Sequence, residues 1–106
     1  MGNSPDSLPY LNAEANTVTF SGFSAGCFMS HQMSIIYPDE IAGVGLFCCW
    51  PYGTKAELNV ADVSAASIAL IEQAAADNKI GSTSDIANQA VYIWTGLDDI
   101  TTPPEN

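Results

Sequence analysis

Positive charge is nearly missing from this chain. Its 106 residues hold 2 Lys or Arg against 12 Asp or Glu, a net charge of −10. That balance repels polyphosphate and anionic lipid, which argues against nucleic acid or an anionic membrane surface as partner. Long apolar runs are missing too, since none approaches the ~18 residues of a membrane-spanning helix. Met1 to Pro9 contains neither a basic nor an apolar stretch, so no signal peptide is expected there. Histidine occurs once, as His31. The three cysteines, Cys27, Cys48 and Cys49, lack metal-ligand spacing, and their odd number leaves at least one unpaired. Adjacent Cys48 and Cys49 make a strained pair, so all three read mainly as small buried hydrophobes, with any pairing left open. What the chain does have is apolar material. At 47% hydrophobic and 13% charged it has the composition of a folded domain with a core.

One stretch organises that material. Thr17 to Ser21 is a β-branched run of strand length, Gly22-Phe23-Ser24-Ala25-Gly26 follows, and an apolar helical pattern begins at Ala25. Gly-x-Ser-x-Gly between a strand and a helix is the nucleophile elbow of α/β-hydrolases. The turn is tight enough to hold the serine in a strained conformation with its hydroxyl above the sheet edge. Side chains two residues before and two after would collide with the neighbouring backbone, which predicts glycine at both Gly22 and Gly26. The Ala25 N–H, at the helix N-terminus, then faces a developing oxyanion. The competing use of these residues is a simple turn in which Ser24 caps the helix.

Around this stretch the chain reads as alternating strands and helices. Leu8 to Asn16 looks like a turn or helical end leading into the first strand. Ala25, Phe28, Met29, Met33 and Ile36 form an apolar stripe at helical spacing, and Tyr37-Pro38 ends that helix. His31 falls well off the stripe and is expected to face solvent or a neighbouring loop. It lies seven residues past Ser24, about 10 Å along a helix axis, too far to serve as its base. Residues 41–47 form a continuous apolar strand, completing a strand–helix–strand unit. The loop after it carries Trp50 and Tyr52 at the end of the sheet where such folds bind ligands, so they are candidates for an apolar substrate cleft as well as for simple packing. Asn59 to Asn78 reads as a helix with Val63, Ser67, Leu70, Ile71, Ala74 and Ala75 on one side, an Asn59–Asp62 cap and a stop at Gly81. Ser84 to Asn88 suggests one helical turn. Residues 91–95 form a third strand, and the Asp just past it holds the expected position of a triad acid.

Four landmarks occur together and in order: Leu-Pro-x-Leu-Asn at 8–12, Val-Thr-Phe-Ser-Gly-Phe-Ser-Ala-Gly at 18–26, Phe-x-x-x-Pro-Tyr at 47–52, and Val-Tyr-Ile-Trp-Thr-Gly-x-x-Asp at 91–99. In combination they resemble the extracellular poly(3-hydroxybutyrate) depolymerases, above all the single-domain fungal type. The likeness is weakest over residues 54–80. It implies Ser24 as nucleophile, the Ala25 amide as one oxyanion donor, and Asp99 as triad acid, with Asp98 in a more exposed neighbouring position. It further implies a circularly permuted α/β-hydrolase, and secretion. Cys48-Cys49-Trp50 departs from the small residues that relatives carry before Pro-Tyr. The family's histidine and second oxyanion donor lie downstream of the aspartate, whereas this sequence stops at Asn106.

The expectation is therefore one partial α/β-hydrolase domain over residues 1–106: three parallel strands with interleaved helices, permuted and truncated at the C-terminus. Its function would be serine ester hydrolysis of polyhydroxyalkanoate or short-chain esters, using neither a metal nor an organic cofactor. The alternatives are another esterase of the same fold, of feruloyl or acetyl type, and a non-catalytic remnant or binding protein.

Overall fold

The structure, a computed structural model, describes residues 5–54 and 60–101, with side chains from residue 63 onward in the second stretch. A 3-10 turn at Ala15–Thr17 leads into β1 (Thr19–Phe23). Then follow α1 (Ala25–Ile36), β2 (Gly43–Phe47), α2 (Val60–Ala76), the single turn α3 (Thr83–Ile86) and β3 (Ala90–Trp94). The strands form one parallel sheet in the order β1-β2-β3, with Phe23, Phe47 and Trp94 in register at its carboxyl end. The three strands and their interleaved helices stand as the sequence predicts. β1 is displaced, running to Phe23 rather than stopping at Ser21, so Ser24 alone separates strand from helix.

Helix α1 buries a different face from the expected stripe. Its buried residues are Cys27, Ser30, Ser34 and Ile35, while Met29 is 62% exposed. Small residues win because the helix lies close against β1. A Cβ on Gly22 would meet the Gly26 backbone and would sit 2.7 Å from the Cys27 nitrogen. Burying serines costs little here, since Ser30 Oγ donates to the Gly26 carbonyl and Ser34 Oγ to the His31 carbonyl, both at 2.8 Å. Cys27, Val44 and Leu46 form the core under the helix, with Cys49 packed against them. Cys27 and Cys49 are joined by a disulfide and Cys48 is free, which fills in the pairing the sequence left open and corrects the reading of Cys27 and Cys49 as mainly buried hydrophobes.

Helix α2 buries Val63 and Ser67, and the Ser67 hydroxyl donates to the Tyr52 carbonyl at 2.8 Å. Its stop is Asn78 rather than Gly81. Asn78 takes a left-handed φ of 54°, and the Lys79 N–H returns to the Ala74 carbonyl at 2.9 Å, a Schellman-type ending. Gly81 instead donates its N–H to the Ile36 carbonyl at the end of α1. The Asn59–Asp62 cap lies outside the residues whose side chains are described.

Among the described residues α1 covers one side of the sheet over β1 and β2 but not over β3. Val44 and Leu46 face α1, so the opposite face is made by the alternate residues Thr19, Ser21 and Phe23, Gly43, Gly45 and Phe47, and Ala90, Tyr92 and Trp94. All five residues of β3 are exposed.

Candidate active site

Ser24 takes φ 53° and ψ −117°, a region that L side chains seldom adopt. Two anchors hold it there. Its N–H donates to the Phe47 carbonyl at 2.9 Å, and its carbonyl accepts the Phe28 N–H at 3.0 Å, the first bond of α1. Ser24 stands at the N-cap position, but its hydroxyl makes no capping bond. Ser24 is exposed, and Ala25 next to it is the first residue of α1, whose N–H has no acceptor within the helix. Of the two flanking glycines only Gly22 is required by close approach. A Cβ on Gly26 would meet nothing within 4 Å, which corrects the expectation that both positions collide. Gly26 is the backbone that Gly22 must avoid.

The other candidates sit along the same end of the sheet. Phe23, Phe47 and Trp94 are partners, so the chain leaves β1 at Ser24, β2 at Cys48 and β3 at Thr95 side by side. With about 4.8 Å between strands, the outer two ends stand about 10 Å apart. Cys48 has φ 61° and donates its N–H to the Trp94 carbonyl at 3.1 Å, carrying the chain of backbone bonds from Ser24 across to β3. Asp99 lies in the turn after β3. Its N–H donates to the Gly96 carbonyl at 3.1 Å, and its Oδ1 accepts the Thr101 N–H at 2.9 Å. Asp99 is half-buried whereas Asp98 is exposed.

The two aromatic candidates separate. Trp50 is 6% exposed, and its Nε1 donates to the Thr101 carbonyl at 3.2 Å, so the indole packs inside and fastens the loop after β3. Tyr52 is half-buried and borders a hollow of about 300 Å³ whose other walls include Gln32, Leu70, Gln73 and Lys79, and Ser24 is not among them. His31 is half-buried beside the Trp50 backbone, the neighbouring loop of the two expected settings. Burial lowers its pKa below 6.5, and a hydrogen bond with the Trp50 backbone offsets part of that. Its Nδ1 is buried without a hydrogen-bond partner. The role of Trp50 as a fastener is what sequence reading missed. Its one signal was the position of a large aromatic immediately after a cysteine.

Among the described residues no group of three His, Cys, Asp or Glu is placed to hold a metal ion, and no helix is long and apolar enough to cross a membrane.

Fold and turn together define a parallel α/β unit that holds an exposed serine in a strained conformation at the carboxyl end of its sheet. The chain is similar to a polyhydroxybutyrate depolymerase of Talaromyces funiculosus, 29% identical over an alignment of 104 positions that covers 92% of this chain and 31% of that protein. It thus spans about a third of the length of that curated relative. No protein-family model matches the chain, and neither does any solved structure.

Proposed function

We propose that this chain carries the nucleophile of a serine ester hydrolase acting on polyhydroxyalkanoate or a related short-chain ester outside the cell. The observation that carries the reading is the backbone of Ser24: a strained, exposed serine whose hydroxyl makes no capping bond. Strain of about 1–3 kcal/mol persists where the surroundings enforce it, and such residues cluster at reactive sites. The similarity to a polyhydroxybutyrate depolymerase supports the substrate class. A Cys27–Cys49 disulfide is in keeping with an oxidising compartment.

In this mechanism the Ser24 Oγ attacks the ester carbonyl carbon while its proton passes to a histidine. The carbonyl oxygen, now an anion, is met by the Ala25 N–H. Collapse expels the alcohol, which takes the proton back, and water then cleaves the acyl-serine by the same route in reverse. Asp99 orients the histidine. His31 does not fit that role, because α1 carries it along the helix from Ser24 and it packs beside Trp50. The base in this reading is a histidine other than His31.

Chemical rescue tests this on the chain itself. With a p-nitrophenyl 3-hydroxybutyrate ester, the 106-residue chain should turn over no faster than Ser24→Ala. Added imidazole, standing in for the absent base, should produce a Ser24 acyl adduct detectable by mass spectrometry and lost in Ser24→Ala. An adduct elsewhere, or none in the parent, would refute the assignment. Clearing of a polyester film under the same conditions separates a depolymerase from a general esterase.

A further inference from the structure

We infer that Trp50 is a positioning residue for Asp99, acting through Thr101; this rests on the serine-hydrolase reading for what Asp99 does, though not for the linkage itself. The linkage consists of two hydrogen bonds that meet on one residue. Trp50 Nε1 donates to the Thr101 carbonyl at 3.2 Å, across 51 residues of chain, and the Thr101 N–H donates to Asp99 Oδ1 at 2.9 Å. Both faces of Thr101's backbone are therefore occupied, one fixing it to the β2 loop and the other fixing the carboxylate.

The two ends of this linkage differ in firmness, which gives it a direction. Thr101, Asp98 and Ile100 are exposed, Ile100 at 95%, so packing does little to hold that turn. Trp50 is the buried partner. It follows Cys49, which the disulfide ties to Cys27 in the core of α1. Its backbone lies beside His31, one helical turn beyond Cys27 on α1. The anchor thus runs from the first turns of α1, the helix that begins directly after Ser24, through Trp50 to the Asp99 turn. A buried indole N–H needs an acceptor, and the Thr101 carbonyl is the acceptor it has. Losing the bond strands a buried donor on one side and frees an exposed turn on the other.

The consequence for chemistry is that the Asp99 carboxylate is held in one orientation before any imidazole arrives. A carboxylate that must orient a base contributes through fixed geometry, and small displacements are costly. Trp50 then serves catalysis without touching substrate, which differs from the cleft-lining role its sequence position suggests.

Trp50→Phe removes the N–H and keeps an aromatic ring. Amide hydrogen exchange by NMR should rise at Thr101 by roughly five- to tenfold, the loss expected for one hydrogen bond. The amides of Ser24 and Cys48, bonded to Phe47 and Trp94, should keep their rates. Thr101→Pro removes the donor to Asp99 directly and covers the case in which Trp50→Phe loosens the whole chain. In the imidazole rescue each variant should slow Ser24 acylation by roughly five- to tenfold, and the double variant should lose little more than either one, as members of one linkage do. Unchanged exchange at Thr101 in Trp50→Phe, or fully additive losses in the double variant, would overturn the inference. A parent that never acylates at Ser24 refutes the hydrolase reading instead, and exchange at Thr101 alone then decides whether Trp50 holds this turn.

Discussion

The N–H of Ser24 donates to the carbonyl of Phe47 at 2.9 Å, so the most strained residue of the elbow is tied to the central strand rather than to its own helix. That bond continues the β1–β2 ladder by one residue past the end of the strand. The sheet therefore enforces the conformation of the serine, and the helix begins immediately behind it.

The two glycines of the elbow should respond in opposite directions. Gly22→Ala places a methyl group against the Gly26 backbone and should cost more than about 2 kcal/mol, as overpacking against a rigid backbone does. Gly26→Ala adds a methyl in open space inside a helix and should stabilise by about 0.5–1 kcal/mol. Urea melts of the two variants check the pair, and equal destabilisation would contradict the packing described for α1.

The adjacent carboxylates should separate as well. Asp99 is half-buried and bonded to Thr101, whereas Asp98 is exposed. In a chain with its histidine, Asp99→Asn should cost orders of magnitude in kcat by favouring the wrong imidazole tautomer, while Asp98→Asn should change it little. The reverse ranking moves the acid to Asp98.

His31 gives a pH signature. Its folded pKa is lowered from 6.5 by burial, so the folded state binds its proton less readily than the unfolded chain. The stability associated with neutral His31 is fully present above pH 6.5 and falls away as the pH drops through the folded value. His31→Gln should flatten that part of the stability profile. Thermal melts from pH 7.5 downward, parent against variant, would show parallel curves if His31 were freely solvated.

The disulfide closes a stretch of 22 residues that includes most of α1 and all of β2. Chain-entropy reasoning assigns such a closure about 3 kcal/mol. A Cys27→Ala, Cys49→Ala double variant should lose stability of that order, and Cys48→Ser should lose much less because Cys48 is unpaired and half-buried. Denaturant midpoints with and without reductant provide the check, and reductant should leave the double variant unchanged.

The strands and the tight turn at Ser24 were legible because they rest on local pattern: β-branched and apolar runs of strand length, and a glycine forced by close approach. The buried face of α1 was not. Met29 and Phe28 are apolar at helical spacing, yet the helix presents Cys27, Ser30 and Ser34 to the sheet, since closeness to β1 selects small side chains over greasy ones. The partner of Cys27 was equally hidden, because pairing depends on where the β2 loop returns in space. Trp50 stayed open between cleft and packing for the same reason: an aromatic in a loop looks alike in sequence whether it lines a cleft or anchors another loop, and the acceptor of its N–H is visible only in space.

The exposed face of β3 has a calorimetric consequence. Heat capacity rises on unfolding in proportion to the apolar surface that water newly reaches, about 1.2–1.5 kcal/mol/K for a hundred residues of ordinary globular protein. In this chain Tyr92, Ile93 and Trp94 already stand 59%, 67% and 49% exposed before unfolding begins. The increment for these 106 residues should fall below that range. Its stability then varies weakly with temperature, giving a shallow dome and a broad melt in place of a sharp transition, until something else dries that face.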